Sequence, residues 1–188
     1  MLKLVIGGAR SGKSEWAEHL ARTSGLPVTY VATAQDYPDD PEWQKRIKMH
    51  QQRRPPDWQV HLIPVALAEF LGRCAAGQTV LIDSLGTWVS NCLVQGEADW
   101  QKTQASLITH LDSCPSQVIV VCEETGWGVV PAFPSGRLFR DRLGELTRQI
   151  GAIATAVYLV IAGYALRLDH MGEKLPDSSA FLSDSLNY

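Results

Sequence analysis

The sequence predicts an α/β fold, a mostly parallel sheet with helices on both faces, and two observations lead there. Six short, β-branched, apolar runs recur, at residues 2–6, 27–33, 58–64, 79–83, 117–123 and 156–162. Most are apolar at consecutive rather than alternate positions, the pattern of strands covered on both sides. Helix-like segments separate them, and alternation of this kind builds layered α/β domains.

In chain order, "LKLVI" (2–6) leads through a glycine-rich stretch into a helix-like segment at 13–23. "PVTYVAT" (27–33) is the second strand. Residues 41–54 then read as a helix, with Asp39 and Asp40 available as caps and Pro41 in its first turn. "WQVHLIP" (58–64) is the third strand, and residues 65–75 carry apolar side chains at helical spacing. "TVLID" (79–83) is followed by helices at 85–94 and 100–111, "QVIVVCE" (117–123) by a helix at 135–154, and "AVYLVIA" (156–162) closes the series. From Arg167 onward "RLDHMGEKLPDSSAFLSDSLNY" is polar and turn-rich. The expected organisation is one domain over residues 1–166 and a tail over 167–188 that is not a separate domain. That tail is either a loose extension or packs on a neighbouring subunit.

Bulk composition narrows the function classes. At 188 residues the chain suits one domain with a sizeable core, and 45% apolar with 20% charged residues is ordinary for a globular protein. A net charge of −3 argues against a nucleic-acid surface, which needs a basic face. No run approaches the roughly 18 apolar residues of a membrane helix, and the N-terminal run is too short for a signal peptide. The four cysteines, Cys74, Cys92, Cys114 and Cys122, form no C-x-x-C pair, so a zinc site has no support. The expectation is a soluble, cytoplasmic protein with reduced thiols.

"GGARSGKS" satisfies G-x-x-x-x-G-K-[ST] after a strand and at the opening of a helix, which is a P-loop. A chance match at average composition is on the order of one per cent, so the motif outweighs a plain glycine turn. Gly7 and Gly12 suit a loop whose N–H groups converge on phosphate, and the helix N-terminus adds partial positive charge. Lys13 is placed to reach the terminal phosphates and Ser14 to ligate Mg²⁺. Asp83 ends one apolar strand, and Glu123 and Glu124 end another. Ligands of open α/β sheets lie at such carboxyl ends. Asp83 is thereby a candidate metal-site or substrate-site residue and Glu124 a substrate-site candidate, with helix capping the alternative for each.

"RIKMHQQRRP" (46–55) concentrates positive charge in a slightly acidic chain. On a helix Arg46, His50 and Arg53 form one stripe, with Trp43, Ile47 and Met49 nearby as anchors. Charge and spacing alone leave two readings: a solvated face, the common fate of basic helices, or a second wall of a triphosphate site, where Arg binds phosphate strongly and a neutral imidazole attacks phosphorus. "GWGVVPAFPSG" (126–136) reads equally as a substrate-facing rim or a surface loop.

Taken in order, "GGARSGKS", "YVATAQ" (30–35), "RIKMHQQRRPPDW" (46–58), "LIDSLGTWVSN" (82–91), "EETGWGVVP" (123–131) and "RLFRDRLGELTRQI" through "VYLVIAG" (137–163) resemble one family. It is the bifunctional adenosylcobinamide kinase / adenosylcobinamide-phosphate guanylyltransferase family of cobalamin biosynthesis, and the resemblance covers residues 2–167. It implies a RecA-like P-loop NTPase fold and a homotrimer. It implies phosphorylation of the aminopropanol hydroxyl of adenosylcobinamide by ATP or GTP. GMP then passes from GTP to adenosylcobinamide phosphate through a covalent GMP–histidine, giving adenosylcobinamide-GDP and pyrophosphate.

The family's histidine falls on His50. Implied nucleotide contacts are Gly7, Gly8, Ala9, Arg10, Ser11, Gly12, Lys13, Ser14, Thr33, Ala34, Gln35, Gln51, Gln52, Arg53 and Asp83. Arg46 joins them by its place on the stripe. His50 and Lys13 are the catalytic candidates, Ser14 and Asp83 the Mg²⁺ ligands.

The chain departs from the family where Glu123 stands for asparagine, Leu62 for glutamate, and Thr147-Arg148 for Asn-Gln. Leu62 bears on a guanine or ribose contact, and Glu123 adds charge beside the expected substrate edge. Two other readings remain: a small-molecule P-loop kinase without guanylyl transfer, and a nucleotide-sensing regulatory module.

Overall fold

In the computed structural model, which describes residues 1–35, 39–42, 45, 48 and 53–176, seven strands form one sheet in the order β3-β2-β4-β5-β1-β6-β7. They are β1 (Leu2–Gly7), β2 (Val28–Ala32), β3 (Gln59–Leu62), β4 (Thr79–Asp83), β5 (Gln117–Glu123), β6 (Ala156–Ile161) and β7 (Tyr164–Arg167). All neighbours are parallel except β6 and β7. The helices are α1 (Lys13–Arg22), α2 (Leu67–Leu71), α3 (Leu85–Asn91), α4 (Glu97–Ser113), α5 (Pro134–Ile153) and α6 (Leu168–Met171). Pro41, Glu42, Lys45, Lys48 and Arg53 are also helical, in the segment read as a helix from its sequence.

Consecutive strand residues point to opposite faces, so an apolar run feeds two cores. Leu4, Val80, Ile82, Val118 and Val120 pack under Leu67, Trp88, Trp100, Leu107, Leu143 and Leu146. Val5, Tyr30, Leu81, Ile119 and Val121 pack under Ala17, Leu20 and Ala21 of α1 and beside Trp58. Each buried Leu, Val or Ile contributes roughly 1.5–3 kcal/mol, which fixes the central strands in register. Arg142 of α5 is buried. It donates to the carbonyls of Cys92 (3.4 Å) and Gln95 (2.9 Å) just beyond α3, and its guanidinium lies 4.9 Å from the Trp100 ring. Arg142 thus ties the turn between α3 and α4 to α5.

Three expectations shift. The third predicted strand is the sheet edge, so all four β3 residues are exposed and Leu62 is 68% exposed. A seventh strand follows the sixth: Ala162 (φ 50°) and Gly163 (φ 80°) make a two-residue turn with both φ positive, and Ile161 pairs with Tyr164. The polar segment therefore does not leave the body at Arg167, which closes β7. Asp169 accepts from the Val157 N–H (3.1 Å) and from Arg167, whose paired guanidinium holds this carboxyl well below the usual range. Lys174 Nζ donates to the Ala152 carbonyl.

The register brings chemistry to one edge. Gly7 pairs with Glu123, and Asp83 pairs with Val121. The carboxyl ends of β1, β4 and β5 thus lie side by side, where such sheets bind ligands.

Candidate functional site

At the end of β1 the chain turns through Gly8, Ala9, Arg10, Ser11 and Gly12 into α1. Gly12 has φ 93°, a left-handed conformation that favours glycine. Gly7 is needed for space: a Cβ there would lie 2.4 Å from Ser11 Oγ and 2.6 Å from the Val160 carbonyl. The loop is closed by the Ser11 N–H donating to Gly8 O at 3.3 Å, and α1 starts with the Trp16 N–H donating to Gly12 O at 2.9 Å. Lys13 is 6% exposed, and its ammonium donates to Gly8 O at 3.2 Å, holding the charge over the loop. Ser11 Oγ is buried without a hydrogen-bond partner among the described residues. A phosphate oxygen is the complement of an orphaned hydroxyl in a loop of N–H groups.

Asp83 stands across from this loop. Ser14 Oγ lies 3.5 Å from Asp83 Oδ1, and the Tyr30 phenol donates to Oδ2 at 2.8 Å. One carboxylate oxygen is thus held by the protein while the other faces Ser14. Two hard oxygen donors on one side of a phosphate cradle fit Mg²⁺, which keeps several waters and takes one or two protein ligands with phosphates.

Glu124 joins this edge through its N–H, which donates to Gly7 O at 3.0 Å, while its carboxylate accepts from the Gly126 N–H. Thr33 is fully buried. Its hydroxyl donates to Ser84 O (2.6 Å) and accepts from the Ser84 N–H, its N–H donates to Asp83 O, and its carbonyl accepts from Asn91 Nδ2 (2.8 Å). It joins the ends of β2 and β4. Ala34 and Gln35 follow it, half-buried. Arg53 is committed to α1, pairing with Glu15 and with Glu18 at 3.5 Å. Glu15 reaches back to the loop, since a Cβ on Gly12 would lie 3.1 Å from its Oε2. Burial pushes the Glu18 carboxyl up, against the pull of Arg53. Arg46, His50, Gln51 and Gln52, with Trp43, Ile47 and Met49, lie outside the described residues.

Glu123 differs from its expected role. Its carboxylate turns inward, accepting from Ser84 Oγ (2.6 Å) and from the Gly86 N–H (2.9 Å), and so caps α3 from a neighbouring strand. The extra charge is absorbed by the helix terminus that an asparagine side chain would also satisfy. Glu123→Ala should destabilise the fold by about 2 kcal/mol, as loss of a charged cap does, with Glu123→Gln milder. Chemical denaturation measures both.

Thr147 likewise points inward, its hydroxyl donating to Leu143 O (2.6 Å) and lying 2.9 Å from Cys122 Sγ. Burial pushes the Cys92 thiol up to about 11 and the Cys122 thiol up to about 12, so neither is a thiolate at neutral pH. Sequence reading missed Tyr30 as a site residue, since a tyrosine in an apolar strand carries no signal beyond core packing.

A family model described as cobinamide kinase / cobinamide phosphate guanyltransferase matches residues 3–168. The chain is 39% identical over 170 residues to the bifunctional adenosylcobalamin biosynthesis protein CobP of Pseudomonas aeruginosa, covering 89% of this chain and 97% of that protein. Against CobU of Escherichia coli K12, a protein of the same description, identity is 35% over 187 residues, covering 89% and 99%. Among solved structures, an ATPase of a bacterial type III secretion system superimposes with a TM-score of 0.57 at 10% identity, covering 98% of this chain and 61% of that one. A Pyrococcus horikoshii OT3 protein gives 0.56 at 6%, covering 94% and 91%. Such low identities speak to fold alone, and the fold is a RecA-like P-loop NTPase sheet.

Proposed function

The chain belongs to the cobinamide kinase / cobinamide phosphate guanyltransferase family and is a kinase and guanylyltransferase of cobalamin biosynthesis; we propose that its one P-loop site serves both reactions. The observation that carries this is the Lys13, Ser14 and Asp83 cluster around the loop at the end of β1. Both reactions require a triphosphate held there, and they differ in which phosphorus is attacked.

In the kinase step the aminopropanol hydroxyl of adenosylcobinamide attacks the γ-phosphorus of ATP or GTP, the bond from that phosphorus to the β,γ-bridging oxygen breaks, and ADP or GDP leaves. Lys13 and the loop N–H groups stabilise the charge that builds on the phosphates. Asp83 or Glu124 positions the hydroxyl or takes its proton. In the second step a ring nitrogen of His50 attacks the α-phosphorus of GTP, forming a P–N bond as pyrophosphate leaves. A phosphate oxygen of adenosylcobinamide phosphate then attacks that phosphorus, the P–N bond breaks, and the imidazole is regenerated with adenosylcobinamide-GDP as product. Arg46 carries positive charge for the departing pyrophosphate, and Gln51, Gln52, Ala34 and Gln35 complete the nucleotide's surroundings. Ser14 and Asp83 would hold Mg²⁺, which supplies charge neutralisation to the phosphates.

The same reading includes a homotrimer in the cytoplasm. Four free thiols fit a reducing compartment, and no helix among the described residues is long and apolar enough to cross a membrane. The chain acts as one domain, and within the described residues Arg167, Asp169 and Lys174 are held on it through β7, the Val157 N–H and the Ala152 carbonyl.

Incubation with adenosylcobinamide, GTP and Mg²⁺, followed by mass spectrometry, should show a product heavier by one phosphoryl group and then adenosylcobinamide-GDP. The first product alone would leave a kinase without guanylyl transfer. GTP hydrolysis with no corrinoid product would leave a nucleotide-sensing module.

A further inference from the structure

We propose that Tyr30 is a positioning residue for Asp83, braced by Arg54, and that it sets the affinity of the nucleotide site for its divalent cation. This rests on Asp83 serving that cation, as proposed above.

Tyr30 lies in the middle of β2, 2% exposed, inside the core that packs under α1. For packing alone a phenylalanine would serve. The hydroxyl instead reaches the end of the neighbouring strand and donates to Asp83 Oδ2 at 2.8 Å, a charge-assisted bond. Pinning one oxygen leaves Oδ1 turned to Ser14. This division is that of a metal-ligating carboxylate oriented by a partner behind it.

The brace is visible on the ring's face. The Arg54 guanidinium lies 3.6 Å from the Tyr30 centroid, and Trp58 stacks at 6.5 Å. A cation on the ring draws density from the phenol and strengthens it as a donor. Arg53 beside it pairs with Glu15 and Glu18 of α1, and its carbonyl accepts from Arg22 at 3.4 Å. Residues 53–58 are therefore fastened to β2 and to α1, with Tyr30 as the link to Asp83.

Tyr30→Phe removes only the hydroxyl and keeps the ring for Arg54. Binding of Mn²⁺ with a non-hydrolysable GTP analogue, read by the electron paramagnetic resonance of free Mn²⁺, should weaken about 10-fold, the lower range for loss of a partner behind a metal ligand. Tyr30→Phe placed on Asp83→Asn should add nothing further, whereas a merely structural role would add its full effect. Arg54→Met should weaken binding about 3-fold in the same direction, and it supplies the test should Tyr30→Phe not fold. Wild-type Mn²⁺ affinity in Tyr30→Phe, or in Arg54→Met where that variant stands alone, with affinity lost in Asp83→Asn, overturns the role of Tyr30. Wild-type affinity in Asp83→Asn overturns the metal-site reading beneath it.

Discussion

His50→Asn should leave no guanylate on denatured protein after incubation with GTP labelled at the α-phosphate, and should cut guanylyl transfer by at least about a thousandfold, as loss of a nucleophile does. Asparagine keeps much of the size and hydrogen-bonding capacity of histidine but has no nucleophilic nitrogen. The wild-type label should be acid-labile and base-stable, the signature of a P–N bond. The kinase step should persist, because there the acceptor hydroxyl attacks the γ-phosphorus directly and no covalent enzyme is needed. The two activities thus separate at one residue. Equal labelling of His50→Asn would remove histidine as the carrier. Loss of both activities in parallel would instead make His50 a phosphate-holding residue, as in a plain small-molecule kinase.

How much of this was legible depends on where the physics resides. The P-loop was readable because its spacing is its mechanism: Gly7 for close approach, Gly12 for positive φ, Lys13 and Ser14 at the start of a helix. Strands β1, β4 and β5 were readable because a doubly covered strand needs apolar residues at consecutive positions. The exposed edge β3 resembled them, since coverage depends on a neighbour that the strand itself does not encode. The β7 hairpin hung on Ala162-Gly163, where alanine hides a turn that needs positive φ at both positions.

Polar contacts between distant segments were not readable at all. Tyr30 and Asp83 are 53 positions apart, and Glu123 and Ser84 are 39 apart. Nothing local distinguishes a phenol that orients a carboxylate from one that fills a core. Nor does anything local separate a glutamate facing substrate from one capping a helix. His50 stood out in turn through the family resemblance, because charge and spacing alone fit a solvated helix as well.

Lys13→Ala should lower both activities together, each by about 100- to 1,000-fold, the range for losing one preorganised group at developing phosphate charge. The side chain is buried, and its ammonium already rests on Gly8 O at 3.2 Å, so its charge is in place before substrate arrives. On the proposed single-site mechanism that charge answers the γ-phosphoryl group in kinase transfer and the departing pyrophosphate in guanylylation, both held in the same cradle. Lys13→Arg should not restore activity, since a planar fork does not replace a compact point charge between closely spaced loop carbonyls and phosphates. A thermal melt close to wild type would assign the loss to catalysis rather than folding. Steady-state rates of both half-reactions, measured on one preparation, decide the matter. If guanylylation survives Lys13→Ala while phosphorylation is lost, the α-phosphate is attacked in a second nucleotide site, and the single-site account fails even with both activities intact in the wild type.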